Sequence, residues 1–247
     1  MTPKRLSVGP LPDELSAELR NLTVNARRND LTPDGDVQLI EAPFTGETIS
    51  WVGKGSEDDV TEAFTVARRA QRSWVHVPFS ERKRIFLRFH DLLLRSRELV
   101  TDMIQLETGK NRPSAFDEVM DIANNARYYA NHAEKFMAPR SRRAAMPVLI
   151  KSREYRHPLG VVGQISPWNY PLSLSIGDAI PALLAGNAVV AKPDSNTPFT
   201  ALLAFKLLFD AGLPRDLVQI VTGSGRVVGT AISEQCDFLM FTGSTAT

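Results

Sequence analysis

"GVVGQISPWNYPL" occupies residues 160–172. Its first half is a short apolar run that reads as a strand, and its second half sets Asn169 between Trp168 and Tyr170 with Pro167 and Pro171 on either side. A side-chain amide held so stiffly at the end of a strand calls for a chemical reason. Three later segments repeat the arrangement. "NAVVAK" (187–192) runs into Lys192-Pro193-Asp194-Ser195, "LVQIV" (217–221) into Thr222-Gly223-Ser224-Gly225, and "FLMFTG" (238–243) into Thr242-Gly243-Ser244-Thr245. Helical patterns over about 173–184, 197–211 and 226–233 separate them. Short strands alternating with such helices indicate an α/β fold, a parallel sheet with helices on its faces. Parallel strands place their carboxyl ends on one edge, so the four turns are expected to line a single ligand crevice.

Lys192 and the Gly and Ser residues of these turns suit a phosphorylated ligand, whose oxygens accept from hydroxyls, backbone N–H groups and ammonium. "GSGRVVG" (223–229) resembles the dinucleotide fingerprint with its last glycine one position late. A strand-to-helix turn that needs glycine for positive φ accounts for it equally well. For Asn169 there are likewise two readings: it bonds its own turn, as Asn commonly does, or it offers a fixed donor to a ligand.

The rest of the chain bounds the class. Its 247 residues, 43% hydrophobic and 23% charged, suit one large domain or two. With 29 basic against 28 acidic residues spread along the chain, there is no electrostatic footprint for nucleic acid or an anionic membrane. "RRAAMPVLIKSREYR" (142–156) interleaves its charges with apolar residues and reads as solvated strand edges. The first twenty residues lack an apolar core of signal-peptide length, and the longest apolar stretch, 179–191, is interrupted by Pro181, Gly186 and Asn187. A cytoplasmic protein is expected. The single cysteine, Cys236, excludes an internal disulfide. His76, His90, His132 and His157 show no metal-ligand spacing, Gly109-Lys110 is followed by Asn and so forms no P-loop, and no Gly-x-Ser-x-Gly elbow occurs.

Upstream, residues 1–35 read as an arm with one amphipathic piece near 14–21, and residues 37–53 alternate around Pro43 and Thr45-Gly46 as a hairpin. Ser56 followed by three acids is a helix start, continued by Val60, Ala63, Phe64, Ala67, Ala70 and Trp74. A longer helix is expected from Ser80 to a stop at Gly109, with Ile85, Phe86, Phe89, Leu92, Leu93, Leu99, Met103 and Leu106 as its core face. A third, over 114–136, turns Phe116, Val119, Ile122, Ala126, Tyr129 and Ala133 to one side. "MPVLIKSREYRHPLG" (146–160) suggests two short antiparallel strands.

"PWNYPL", "AGNAVVAKPDSNTP", "AGLPRDLVQIVTG" and "FTGST", in this order and spacing, resemble the aldehyde dehydrogenase superfamily, and "LETGK" at 106–110 fits too. The similarity runs from about Val37 onward and is nearest to NADP-dependent succinate-semialdehyde dehydrogenases. The resemblance implies a Rossmann-type parallel sheet with flanking helices plus an oligomerisation hairpin. It divides the chain into an arm with packing helices over 1–138, the hairpin over 139–159, and the first part of the nucleotide-binding domain over 160–247.

In that family a cysteine thiolate attacks an aldehyde, hydride passes to a nicotinamide, and a glutamate-activated water cleaves the thioester. Asn169 matches the amide that meets the oxyanion, and such a donor works best when it does not reorganise, which the flanking prolines favour. Lys192 and Ser195 match positions that hold the adenosine ribose, with Asp194 between them. Members that prefer NAD commonly carry Glu where Ser195 stands. A carboxylate there repels a 2′-phosphate by roughly 4 kcal/mol per charge pair at about 4 Å with an effective dielectric near 20. NADP is therefore the expected cofactor, with NAD the alternative. Ser166, Pro167 and Trp168 match the cofactor cleft, Thr242, Gly243 and Ser244 the pyrophosphate loop, and Gly225 and Gly229 a turn near the adenine.

The resemblance places the nucleophilic Cys and the base Glu beyond residue 247, so the chain is expected to be an amino-terminal part without turnover of its own. Cys236, just before an apolar strand, reads as structural. Succinate-semialdehyde members often carry Arg on the helix after "PWN"; here Gly177 stands in its place, which leaves the aldehyde open. The expected partners are a small aldehyde and further copies in a homodimer or homotetramer. The rival reading is a truncated paralogue that only binds nucleotide or oligomerises.

Overall fold

The computed structural model describes residues 5–27, 35–146 and 149–243. Four parallel strands form its central sheet in the order β7-β6-β5-β8, with β5 at Val161–Ile165, β6 at Ala188–Lys192, β7 at Val218–Ile220 and β8 at Phe238–Phe241. Every residue of β6 and β7 is buried, as expected of apolar runs covered on both faces. Helices α6 (Ser173–Leu184) and α7 (Pro198–Asp210) carry the chain outward from β5 to β6 and β7, and α8 (Thr230–Gln235) returns it to β8. Helix α2 (Glu57–Trp74) packs beside α8 on the sheet, and α3 (Phe79–Arg95), α4 (Arg97–Thr108) and α5 (Arg112–Met137) lie over α6 and α7. A single core cluster runs through all of these layers, from Leu11 to Ile232.

The amino-terminal elements brace the sheet. Helix α1 (Asp13–Arg20) leads into an arm that covers the β7 edge, where Val24 N donates to Ile220 O at 2.8 Å. Strands β1 (Val37–Glu41) and β2 (Thr48–Gly53) form the expected hairpin. Helix α4 ends at Gly109 with φ 72°, a left-handed cap that only glycine enters without penalty.

Three expectations need correction. The long helix from Ser80 to Gly109 is two helices, because Ser96 leaves helical geometry (φ −93°, ψ 7°) and the chain turns there before α4 restarts. Phe116 does not belong to the core face of α5: it is 38% exposed, whereas Val119, Ile122 and Ala126 are buried. The basic hairpin pairs β3 (Arg140–Arg142) with β4 (Ser152–Glu154), so its first strand precedes "MPVLI". All three β3 residues are exposed.

Candidate functional site

The connections on the two sides of β5 leave in opposite directions, toward β6 on one side and back from β7 to β8 on the other. Such a reversal opens a crevice at the strands' carboxyl ends. One of about 480 Å³ lies there. The β5 turn brings Ser166, Pro167, Trp168 and Asn169 to it, the β6 turn Lys192, Asp194 and Ser195, the β7 turn Gly225, and the β8 turn Thr242 and Gly243. Backbone bonds tie the rims together: Ser166 N donates to Lys192 O at 3.2 Å and Thr242 N to Ile165 O at 3.1 Å. Gly229 does not line the crevice; it is buried behind Lys192 and Ile165. Ser244 lies outside the described residues.

Lys192 is the buried cation of the site. Its ammonium donates to Pro193 O at 3.1 Å, and burial pushes its pKa down while neighbouring Asp194 pulls it up. Ser195 Oγ donates to Gly223 O at 3.0 Å, and Asp194 Oδ1 accepts from Asn196 N at 2.9 Å. Asn169 is exposed, and its carboxamide makes no hydrogen bond among the described residues. It does not bond its own turn. The turn itself holds through Leu174 N donating to Tyr170 O at 2.9 Å and Ser175 Oγ donating to Pro171 O.

Half of the glycine turn faces elsewhere. Thr222 Oγ1 donates to Gly53 O at 2.8 Å, and Gly55 N donates to Thr222 O at 2.7 Å. At Gly223 (φ 142°) a Cβ would stand 2.8 Å from Val228 Cγ2 and 3.0 Å from Gly55 N, so packing alone requires glycine there. Ser224 Oγ accepts from Val227 N at 3.3 Å and caps a five-residue π turn, Gly225–Gly229, that runs into α8. That wider turn accommodates the late glycine.

Cys236 sits between α8 and β8, at the amino ends of the strands and opposite the crevice, with its thiol directed at Ser233 O, 3.7 Å away. A Cβ on Gly163 would come within 2.9 Å of Cys236 Cβ, so the cysteine packs against β5.

Two buried acids were invisible in the sequence. Glu107 accepts from Phe199 N and Thr200 N at 2.7 Å each and from Thr200 Oγ1 at 2.6 Å, closing the amino end of α7. Burial pushes its carboxyl up to about 7 against these hydrogen bonds. Glu118 accepts from Leu172 N at 3.0 Å and Ser173 N at 3.2 Å, closing α6. Neither helix has a side-chain cap of its own. That gap, beside an acid inside an apolar helix face, is the signal that could have found them.

Among the described residues no group of His, Cys, Asp and Glu could hold a metal, and no helix is long and apolar enough to cross a membrane. The sequence profile of the Aldehyde dehydrogenase family matches residues 33–247. A Mycolicibacterium smegmatis protein provisionally named as a succinate-semialdehyde dehydrogenase using NADP+ is 54% identical over 208 residues, covering 84% of this chain and 40% of that protein. An NAD-dependent benzaldehyde dehydrogenase from Corynebacterium glutamicum has a similar structure, with a TM-score of 0.79 at 33% identity over 85% of this chain and 47% of that one. So has an NADP-dependent glyceraldehyde-3-phosphate dehydrogenase from Bacillus halodurans in complex with NADP, with a TM-score of 0.80 at 32% identity over 87% and 46%. The chain thus spans about two fifths of the length of the curated relatives it matches. With its sheet order, its strand-end crevice and a match over nearly the whole sequence in agreement, the chain belongs to the aldehyde dehydrogenase family.

Proposed function

We propose that the protein oxidises an aldehyde to a carboxylic acid with a nicotinamide dinucleotide, NADP in preference to NAD, and that this chain supplies the cofactor crevice and the oxyanion donor. One observation carries the reading: the free carboxamide of Asn169 and the buried ammonium of Lys192 open onto the same crevice at the end of β5. A nicotinamide held in the crevice would supply the hydride acceptor. Asn169 Nδ2 donates to the carbonyl oxygen as its charge develops on nucleophilic attack, before the hydride leaves; losing such a donor costs about 3 to 4 kcal/mol of barrier. Lys192 has two further N–H groups to offer phosphate or ribose oxygens beyond Pro193 O.

Ser195 supports the NADP preference by what it does not bring: no carboxylate stands at its position. Its hydroxyl must turn from Gly223 O to meet a 2′-phosphate, while one Asp194 oxygen is already engaged by Asn196 N. Succinate semialdehyde is the substrate for which curated relatives 54% and 49% identical to this chain are named. Helix α6 offers its distal carboxylate no basic residue, so the cation that receives it belongs to another element.

Cys236, on the far edge of the sheet, favours a narrower reading of these 247 residues alone: they bind nucleotide without turning over aldehyde. The test is a titration of the chain with NADPH and NADH, followed through Trp168, which is 57% exposed at the crevice. Tighter binding of NADPH, reversed by Ser195→Glu, is the expected result. A native preference for NADH overturns the cofactor assignment.

A further inference from the structure

The segment "LETGK" does not reach the crevice, yet two of its side chains reach toward the crevice turns. Lys110 donates from Nζ to Glu118 Oε1, and the same ammonium stands 3.8 Å from the centre of the Tyr170 ring. Glu118, only 2% exposed, spends its other oxygen on Leu172 N and Ser173 N. The chain is thus gripped at the residue following Asn169 and again two and three residues further on, with Pro171 between the grips. Asn169 itself has no hydrogen bond among the described residues, so the place of its carboxamide depends on the backbone that carries it.

We propose that Glu118 and Lys110 form a positioning pair for Asn169: they clamp the backbone on which the oxyanion donor is carried. A helix cap alone does not account for the arrangement. Ser, Thr, Asp or Asn at Leu172 would close α6 locally. The borrowed carboxylate instead needs a lysine to neutralise it, and that lysine also pins Tyr170. Buried ion pairs add little stability against apolar packing, so the positioning of this turn, rather than stability, is the role assigned to the pair. The proposal rests on the oxyanion role given to Asn169 above.

The test is kinetic, in enzyme that carries the cysteine nucleophile, with Glu118→Gln, Lys110→Met, Lys110→Arg and Asn169→Ala made singly and Glu118→Gln and Lys110→Met repeated in the Asn169→Ala background. Asn169→Ala is expected to lower kcat by about 10²–10³. Glu118→Gln and Lys110→Met lower kcat about tenfold with the KM for NADP unchanged, the size expected when a donor is displaced by a fraction of an ångström. Lys110→Arg, which keeps a cation over Tyr170, restores most of the loss. In the Asn169→Ala background neither change lowers kcat further, because the group being positioned is gone. Equal losses in both backgrounds overturn the proposal while leaving Asn169 its role. An unaltered kcat in Asn169→Ala overturns that role and the pair with it. If Glu118→Gln does not fold, the two Lys110 variants decide, since they leave the bonds to Leu172 and Ser173 in place.

Discussion

Lys192 carries opposing demands in one side chain. It is 4% exposed, its ammonium donates only to Pro193 O among the described residues, and burial pushes its pKa down. An under-partnered buried cation weakens the unliganded fold. The same ammonium lines the crevice wall, where the proposed reading puts a phosphorylated ligand. Lys192→Met keeps the buried stem and removes the charge, so two effects of opposite sign are expected. The unliganded chain gains about 1 kcal/mol in urea unfolding, and NADPH binding weakens by about 2 kcal/mol, roughly 30-fold, the worth of one hydrogen bond to a charged group. A variant both less stable and unimpaired in binding would show that Lys192 serves the fold rather than the ligand.

At the scale of elements, the helix ends separate what was legible from what was not. Helix α2 opens on a capping box in which Ser56 Oγ accepts from Asp59 N at 3.2 Å and Asp59 Oδ2 accepts from Ser56 N at 2.7 Å. Ser56→Ala is expected to lower stability by about 1 kcal/mol, measured as a shift in the urea midpoint with the m-value unchanged. The Ser56 start was readable because donor and acceptor lie three residues apart. So were the four sheet strands, α6, and most of the crevice, since strand ends in a parallel sheet share one edge. The caps of α6 and α7 were not, because Glu118 and Glu107 stand 54 and 92 residues from the nearest amides they bind, a distance no local pattern spans. The break at Ser96 escaped for a related reason: apolar periodicity continues through Leu99, Met103 and Leu106, while the change of direction is set by packing on α5 and α7. Thr222 and Gly223 kept strand-end chemistry but turned away from the crevice, drawn by Gly53 and Gly55 of the amino-terminal hairpin region.

Across the whole molecule, Glu107 joins the outer helical layer to the helix that follows the Lys192 turn, so its charge state bears on the stability of the entire fold. It is 3% exposed, and burial raises its pKa from 4.5 to about 7, a difference worth about 3 kcal/mol. Because the folded chain holds this proton more firmly than the unfolded chain, the contribution is complete below about pH 4.5 and is lost as pH rises through 7. Thr200 Oγ1 and the amides of Phe199 and Thr200 limit the rise, since all three favour the carboxylate. Glu107→Gln keeps one acceptor for the amino end of α7 and has nothing to titrate. Urea unfolding between pH 4.5 and 8 is therefore expected to show stability falling with pH in the parent and a flatter profile in Glu107→Gln. The variant also loses about 1 kcal/mol at the acid end, where one of the two bonded amides no longer finds an acceptor. If the two profiles run parallel, Glu107 is ionised throughout, and the capping bonds outweigh the burial that opposes its charge.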